Sequence, residues 1–456
     1  MFSHKRLALA LTALSVPFGA QAASDAELQE LRKEIDALRQ SYEARLQQLE
    51  ARLKKAENVP PAARPERAAV EPAREQGASA PTTNANAFNP AISLILSGLY
   101  TNLSQDPTNY RITGFVPSGD IGPGRRGFSL AETELGISAN VDPYFYGQLT
   151  ATIQPDNSVG VEEGFVQTTA LGNGLTLKAG RFFSSIGYLN DQHAHTWDFV
   201  NQPLAYDALL GGQFGDDGVQ LKWVAPTDLY LQVAAEAGRG RQFPASDRAS
   251  NGAGAWAAYA HLGGDVGVSH TWRAGLSYLG ARPRGRSFED TDVFGQSVTN
   301  SFSGSSDVWI ADFVWKWSPD GNAQRRNFKF QTEYLWRRES GTLVYDTAAP
   351  ATTSGYSSRQ SGGYAQALYQ FLPGWRTALR YDWLDSGSVD YRSNGAALAG
   401  IDYRPSRWSW MIDYNSSEFS RIRLQLSSDR SRQDVTDNQV FIQYQMSLGA
   451  HGAHGF

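Results

Sequence analysis

Apolar and polar residues alternate along much of the chain beyond residue 90. The segment 437–448 shows the pattern clearly: its apolar face carries Val440, Ile442, Tyr444, Met446 and Leu448, and its polar face carries Gln443, Gln445 and Ser447. A period of two with one apolar face predicts a half-buried strand. Such a strand fits a membrane barrel, whose apolar face meets lipid, and it also fits the edge of a soluble sandwich, so this segment alone leaves both open.

The rest of the region 91–456 favours the barrel. It divides into about sixteen candidate strands, two of them placed over 396–404 and 407–427, with tight turns alternating with long connections. Turn residues such as Pro373-Gly374 mark the tight turns. Short turns at one end and long loops at the other are typical of bacterial outer-membrane barrels. We therefore predict an all-β fold, a transmembrane antiparallel β-barrel of about 16 strands.

Large aromatic side chains support the same prediction. Trp309, Phe313 and Trp317 share one parity of a candidate strand, and Asp312 and Lys316 occupy the other. A soluble sandwich seldom repeats such an aromatic face opposite charged residues from strand to strand, whereas a membrane barrel places aromatic girdles at its interfaces with water.

The first ninety residues have a different character. Lys5 and Arg6 precede an apolar stretch over 7–18, and Ala20-Gln21-Ala22 supplies small residues two apart, which predicts a secretory signal peptide over 1–22. The segment 23–57 repeats apolar residues in steps of three and four and is predicted to be a periplasmic coiled-coil helix; a solvated single helix is the alternative. The segment 58–90 is rich in Pro and Ala and reads as a linker to the barrel at 91–456.

Composition and motifs exclude several classes of function. The chain has no Cys, so disulfides, thiol catalysis and cysteine metal sites are excluded. Its formal charge of −5 gives no electrostatic basis for binding nucleic acid. We find no nucleophile-elbow, P-loop or zinc-protease motif, so the protein is predicted not to be an enzyme and to need no cofactor. A structural tether is a further class, but it would not require a charged lumen.

Charged residues on the parity opposite the apolar face are predicted to line the pore. The basic members are Lys178, Lys222, Arg273, Lys316, Arg337, Arg376, Arg380, Arg421 and Arg423. Rings of charge set ion preference in a water-filled pore, and the strip Arg376, Arg380, Arg421 and Arg423 predicts a weak preference for anions. The alternative is that these residues form cross-strand ion pairs that only stiffen the wall.

The connection over 184–216 is unusual in being rich in aromatic and acidic residues. Its candidate constriction residues are Asp191, His193, His195, Trp197, Asp198 and Asp207. A long loop with bulky side chains is expected to pack into the lumen, because a barrel of this size otherwise leaves a wide aqueous channel. Two of these residues, His193 and His195, also suggest a weak metal site, because imidazole is a common zinc ligand.

The chain resembles the phosphate-selective porin O/P family in its N-terminal organisation and in three short runs: Leu177-Lys178-Ala179-Gly180-Arg181-Phe182-Phe183, Asp198-Phe199 and Gly218-Val219-Gln220-Leu221. The resemblance implies a trimeric outer-membrane channel for small anions. The chain departs from the family in that its loop 184–216 has no lysine and several acids. A related family of barrels, implicated in zinc acquisition, also has a His-bearing loop and a His-rich end, here His451 and His454.

Together these features predict a porin, a passive diffusion channel for small hydrophilic solutes, with metal binding or zinc uptake as the alternative. The expected location is the outer membrane with the N-terminal region in the periplasm, and the expected partners are lipid, two further copies in a homotrimer, and the barrel assembly machinery. That machinery would read Phe456, which resembles the C-terminal signal of bacterial outer-membrane barrels.

Overall fold

The computed structural model describes residues 90–116, 121–131, 133–247 and 249–449. The predicted signal peptide, coiled coil and linker, and also Phe456, His451 and His454, lie outside these residues. The strands are β1 (Ala91–Leu103), β2 (Gly127–Leu130), β3 (Thr133–Asn140), β4 (Phe145–Ile153), β5 (Val159–Thr168), β6 (Leu175–Phe183), β7 (Gly215–Val224), β8 (Tyr230–Gly238), β9 (Ala255–Val266), β10 (His270–Ala281), β11 (Arg286–Thr291), β12 (Ser297–Trp317), β13 (Asn327–Tyr345), β14 (Thr352–Leu372), β15 (Trp375–Asp390), β16 (Ser406–Ser417), β17 (Ser420–Arg430) and β18 (Asp437–Gly449).

These strands form one closed antiparallel barrel with sixteen strand positions. Consecutive strands pair, and β18 returns to pair with β1 along its length. The short strands β2 and β3 both pair with β1 and together fill a single position. Strand β11 pairs only with the extension of β12 beyond the end of β10, so it belongs to a long connection and not to the wall.

The wall has an inside-out distribution of side chains. Outward-facing Leu177, Leu221 and Ile442 are 44, 52 and 46% exposed, whereas inward-facing Gln331 and Glu333 are 1 and 0% exposed. Polar residues are therefore buried inside the barrel and apolar residues lie on its outer surface. A barrel that crosses a membrane requires this arrangement, because its outer surface meets hydrocarbon.

The last strand follows the predicted parity. Ile442, Tyr444 and Leu448 lie on the outer surface, and Gln443 and Gln445 are buried on the inner face. The prediction of one apolar and one polar face is confirmed for this strand, and the soluble-sandwich alternative does not fit a sheet that closes on itself.

The predicted number of strands is confirmed, although two placements were wrong in ways that cancel. The stretch 396–404 is not a strand: a 3₁₀ turn over Arg392–Ala396 begins the connection, and Leu398 packs with Phe302 and Leu343. The stretch 407–427 is two strands, β16 and β17, because the chain turns at residues 418–419. That turn contains neither Gly nor Pro, and its only turn signal is the preceding run Asn415-Ser416-Ser417.

Tight turns and long connections alternate as predicted. The longest described connection joins β6 to β7 and spans residues 184–214; we call it the inward loop. It contains a 3₁₀ turn (Ala194–Thr196) and the helix α1 (Leu204–Leu210). Among the residues that the structure describes, no helix has the length and apolar character needed to cross a membrane.

Candidate channel constriction

The inward loop folds into the barrel, as the sequence predicted. Every residue of α1 is buried, and Tyr206 and Leu209 have no exposed surface. The helix packs against an apolar patch on the inner wall that includes Val308, Ile310 and Leu335. This patch supplies the surface on which an apolar helix can be buried. A second apolar patch on the wall, Leu368, Ala378 and Met411, packs against Phe199 of the loop.

The ends of α1 and of the loop are fixed locally. The helix stops at Gly211, which has the left-handed conformation (φ 68°) that glycine adopts without steric cost. Asn190, which is fully buried, joins the two ends of the loop. Its side-chain amide donates to the carbonyls of Ser184 and Phe214, both at 2.7 Å, and its oxygen accepts from the Phe214 amide at 2.8 Å. The loop is thus closed at its neck.

Glu333 on β13 is the main acceptor for the first part of the loop. Its carboxylate accepts from the backbone amides of Tyr188 and Leu189 at 3.0 and 3.1 Å. It also accepts from the hydroxyls of Tyr206 and Tyr364 at 2.9 and 2.6 Å. One fully buried carboxylate therefore holds the loop, its helix and the neighbouring strand β14 together.

Arginines of the wall hold the rest of the loop by donating to its backbone carbonyls. The pairs are Arg273 with Gly187 at 2.6 Å, Arg337 with Leu209 at 3.3 Å, Arg380 with Asn201 at 2.8 Å, Arg407 with Gln202 at 2.6 Å, Arg421 with His195 at 2.8 Å and Arg423 with Trp197 at 2.7 Å. Five of these arginines are predicted pore-lining residues. The structure places them on the inner face and against the loop. Four of the six arginines also lie near wall carboxylates: Arg273 is 3.6 Å from Asp312, Arg380 and Arg407 are 3.0 and 3.3 Å from Asp382, and Arg423 is 3.5 Å from Asp413.

The remaining predicted pore-lining residues also lie on the inner face. Lys178 has its ammonium 4.5 Å from the centre of the Phe165 ring. Lys222 and Lys316 are half-buried on β7 and β12. Arg376 is paired with Asp413, at 2.6 Å, across β15 and β16.

Asp198 connects the loop to the basic part of the wall. Lys329 lies 2.6 Å and Arg376 lies 3.8 Å from its carboxylate, and Gln366 donates to it at 2.9 Å. Burial alone would raise the pKa of Asp198, but the two cations hold it at about 2. This carboxylate is therefore charged throughout the physiological range.

The same wall carries more basic than acidic groups. Arg423 lies 3.5 Å from the Asp413 carboxylate that also pairs with Arg376, and Arg421 is two residues along β17 on the same face. Around Asp198 and Asp413 the wall cations are Lys329, Arg376, Arg421 and Arg423, so four cations share two carboxylates. We call this set the basic wall. Further along the same strands the buried cations Arg337, Arg380 and Arg407 lie among buried acids, namely Glu333, Glu339, Asp382 and Asp429.

The loop also meets a cluster of glutamates on β3 and β5, which lie three and five strand positions from β17 around the closed sheet. His193 has its Nδ1 2.9 Å from Glu162 and 3.3 Å from Glu134, and its Nε2 3.0 Å from Glu163. The Nδ1 of His195 is 2.6 Å from Glu134. Burial alone would lower the pKa of His193, but the carboxylates hold it well above its usual value. We call these five residues the His–Glu cluster.

Two consecutive glutamates face inward because β5 has a β-bulge. Thr150 on β4 pairs with Glu163, and the next residue, Ala151, pairs with Val161, so Glu162 is the additional residue. Val161 is exposed on the outer surface. A bulge shifts the alternation of a strand by one residue, so that a side chain expected on the outer face points inward. Here it adds a second carboxylate opposite His193.

The other predicted loop residues lie within the loop itself. Trp197 donates from its indole nitrogen to the carbonyl of Gln192 at 2.8 Å, and Asp191 is half-buried. Asp207, on α1, accepts from Gln202 at 2.8 Å. Burial raises the pKa of Asp207 to about 7, against the lowering effect of Arg407.

The inward loop is thus bonded to the basic wall and to the His–Glu cluster. Its contacts span the lumen, because His193 reaches Glu163 on β5 and Tyr188 reaches Glu333 on β13, on the opposite side of the barrel. Sequence reasoning identified the loop and most of the basic residues. It assigned Glu333 to the pore wall without a contact to the loop, and it assigned no role to Glu162, Glu163 or Arg407. Alternation placed Glu333 on the inner face, whereas no signal in the sequence marked the bulge that turns Glu162 inward.

The fold and this loop define the class of protein. It is a β-barrel whose outer surface is apolar, as in a membrane protein, with a loop held across its lumen. No family model matches the chain. The chain belongs to the same family as an uncharacterized protein of Aquifex aeolicus (strain VF5), to which it is 32% identical over 399 residues, 81% of this chain and 80% of that one.

Solved structures with a similar fold include a loop L8 deletion mutant of OmpT, an outer membrane protein of Vibrio cholerae, with 11% identity and a TM-score of 0.49 over 79% of this chain and 99% of that one. They also include the outer membrane channel DcaP of Acinetobacter baumannii, with 12% identity and a TM-score of 0.49 over 79% of this chain and 97% of that one. Pseudomonas putida OprB has 13% identity and a TM-score of 0.48 over 79% of this chain and 94% of that one.

Proposed function

We propose that the protein is an outer-membrane porin that lets small hydrophilic solutes diffuse passively through its lumen. The observation that carries this proposal is a closed barrel of sixteen strand positions, apolar outside and polar inside, with a loop bonded to opposite walls. A barrel of this size encloses an aqueous channel unless something narrows it, and the inward loop supplies that narrowing. The bacterial outer membrane is the location at which barrels of this kind are found.

Conductance in planar lipid bilayers tests the proposal. Purified full-length protein should insert in discrete current steps that are linear in voltage, as an aqueous pore requires. Heat-denatured protein is the control for detergent and contaminating channels. Absence of current steps in every salt, from protein shown to be folded by its resistance to detergent at room temperature, would contradict a porin.

Within this function we propose a weak preference for anions, supported by the excess of cations on the basic wall. Arg421 and Arg423 donate to carbonyls of the loop, and the four cations share only two carboxylates, so a net positive field extends into the lumen. The reversal potential in a salt gradient should therefore indicate anion selectivity, and the double variant Arg421→Gln, Arg423→Gln should move it toward zero. Arg430→Gln, at the exposed end of the same strand, is the matched control. A cation-selective wild type would overturn this assignment.

We also propose a homotrimer, with the outer surface of β3–β7 as the contact between copies. Strands β3–β7 have 8 to 10 residues, against 16 to 21 in β12–β15. Their outward residues are mainly aliphatic, such as Leu135, Leu149 and Leu177, whereas Trp309 and Tyr334 are among those facing out from β12 and β13. Aromatic girdles belong at a lipid interface, so the aliphatic face is the better subunit contact. Light scattering in detergent should give three copies per particle, and a monomer would contradict the proposal.

The alternative expectation, a barrel for zinc uptake, finds no support in the relative or in the solved structures. The finer family expectation, selectivity for phosphate, is not part of the proposal. The inward loop contains no lysine. The lysine that pairs with Asp198 of the loop is Lys329, which belongs to the wall strand β13.

A further inference from the structure

The His–Glu cluster has a hydrogen-bonding problem that the channel function does not explain. Both ring nitrogens of His193 lie at hydrogen-bond distance from carboxylates, 2.9 Å to Glu162 on one side and 3.0 Å to Glu163 on the other. A neutral imidazole carries only one N–H, and a carboxylate only accepts. One of these two contacts therefore needs either a second proton or a cation between nitrogen and oxygen.

The charges of the cluster point the same way. Three carboxylates meet two imidazoles, and the five side chains are between 4 and 14% exposed. With both imidazoles protonated, the cluster keeps one negative charge, which Lys178 on the neighbouring strand β6 can balance. With neutral imidazoles three negative charges remain, and Lys178 balances only one of them. Buried charges of like sign are costly unless a counter-charge is present.

The atoms that face one another form a ligand set. Nδ1 of His193 and one oxygen each of Glu134 and Glu162 lie within 4.8 Å of one another. One imidazole and two carboxylates are donors that Zn²⁺ and other divalent first-row metals accept. Glu163 is then placed to accept the proton of the opposite ring nitrogen, Nε2. A carboxylate in that position fixes the tautomer of a metal-binding histidine.

The fold contributes to this arrangement directly. Glu162 reaches the cluster only because of the β-bulge in β5, and His193 reaches it only because the inward loop crosses the lumen. The site therefore combines two wall strands with the loop. A bound metal would fasten the loop to the wall.

We propose that His193, Glu134 and Glu162 form a binding site for a divalent transition metal that fastens the inward loop to β3 and β5. Glu163 and His195 hold the imidazole and the Glu134 carboxylate in position. This site is independent of whether the barrel conducts. It would stabilise the loop across the lumen in the presence of the metal.

Zinc binding by the full-length protein tests the proposal. Protein stripped with EDTA and transferred to metal-free detergent buffer should bind one Zn²⁺ per chain by isothermal titration calorimetry, with the bound metal confirmed by elemental analysis. The variants His193→Ala and Glu162→Gln should each lose this site. Glu162→Gln keeps the size of the side chain, so it tests ligation with little risk to the fold. Zn²⁺ should also raise the melting temperature of the wild type and leave that of Glu162→Gln unchanged.

Two controls exclude binding by other histidines. His270→Ala alters a histidine that stacks on Trp315, outside the cluster, and the double variant His451→Ala, His454→Ala removes the pair near the end of the sequence. Both should retain the site. Absence of stoichiometric binding in the wild type, or binding that His193→Ala and Glu162→Gln leave unchanged, would overturn the proposal.

Discussion

Replacing Glu333 by alanine should release the first part of the inward loop. The carboxylate accepts four hydrogen bonds, two from the backbone amides of Tyr188 and Leu189 and two from tyrosine hydroxyls. The hydroxyls can rotate toward other acceptors, whereas the amides are fixed by the backbone. A buried donor left without an acceptor costs about 1–3 kcal/mol, so the two amides together destabilise this attachment by roughly 2–6 kcal/mol.

A loss of this size increases the detached population of the loop by a factor of ten for each 1.4 kcal/mol or so. The helix α1 remains packed on the wall, so the effect is local to the start of the loop. We expect a larger single-channel conductance and more noise in the open current, because a mobile segment then lies in the path of the ions. The melting temperature in detergent should fall as well.

Recordings of four proteins at one salt concentration measure the effect. Glu333→Gln keeps one carbonyl acceptor and should lie between the wild type and Glu333→Ala. Glu289→Ala, an exposed acid on β11, is the matched control and should resemble the wild type. Unchanged conductance and noise in Glu333→Ala would refute the reasoning, because it would mean that this carboxylate does not hold the loop or that the loop does not border the pore.

Three further perturbations have defined outcomes. Asp207 retains its proton to about pH 7 in the folded state, whereas the unfolded carboxyl ionises near pH 4, so the stability of the folded protein falls as pH rises between these values. The melting temperature of Asp207→Asn relative to the wild type should therefore increase across that interval. A difference in melting temperature that does not depend on pH would contradict the burial of Asp207. Leu209→Ala, at a fully buried position of α1, should destabilise the helix packing by about 2–5 kcal/mol, seen as earlier proteolysis of the loop; unchanged protection would contradict the packing. Leu221→Arg places a charge on the lipid face and should lower the free energy of unfolding by about 2–4 kcal/mol if the residue lies near the midplane of the membrane. Urea-dependent folding into liposomes measures this change. Lys222→Arg, on the opposite face of β7, should change the free energy little, and equal effects of the two substitutions would contradict the assignment of faces.

Much of the barrel could be predicted because side-chain direction in a strand is fixed by parity. The faces of β12, β13 and β18 follow directly from alternating residues, and each of these strands is long enough for the pattern to be unambiguous. The misplaced strand at 396–404 shows the limit, since Ile401 and Tyr403 alternate with Asp402 and Arg404 yet belong to a connection. The missed turn at 418–419 shows another, because Glu418 and Phe419 are not turn-forming residues and only the polar run Asn415-Ser416-Ser417 before them marks the break.

The candidate site was harder to predict because its contacts are distant in sequence. Glu333 and Tyr188 are separated by 145 residues, and only closure of the barrel brings them together. The bulge at Glu162 depends on the pairing of β4 with β5 and leaves no mark in the sequence. The pattern therefore predicts which residues face the lumen, and the structure is needed to show which of them hold the loop.

The central claim is that solutes pass through a lumen narrowed by the inward loop. Swelling of liposomes in sugars of increasing size measures this most directly, with the wild type compared with a variant whose residues 188–210 are replaced by a short Gly-Ser linker. The wild type should admit small sugars and exclude larger ones, and the variant should admit sugars that the wild type excludes. No swelling with the wild type, or the same size limit in both proteins, would contradict the claim.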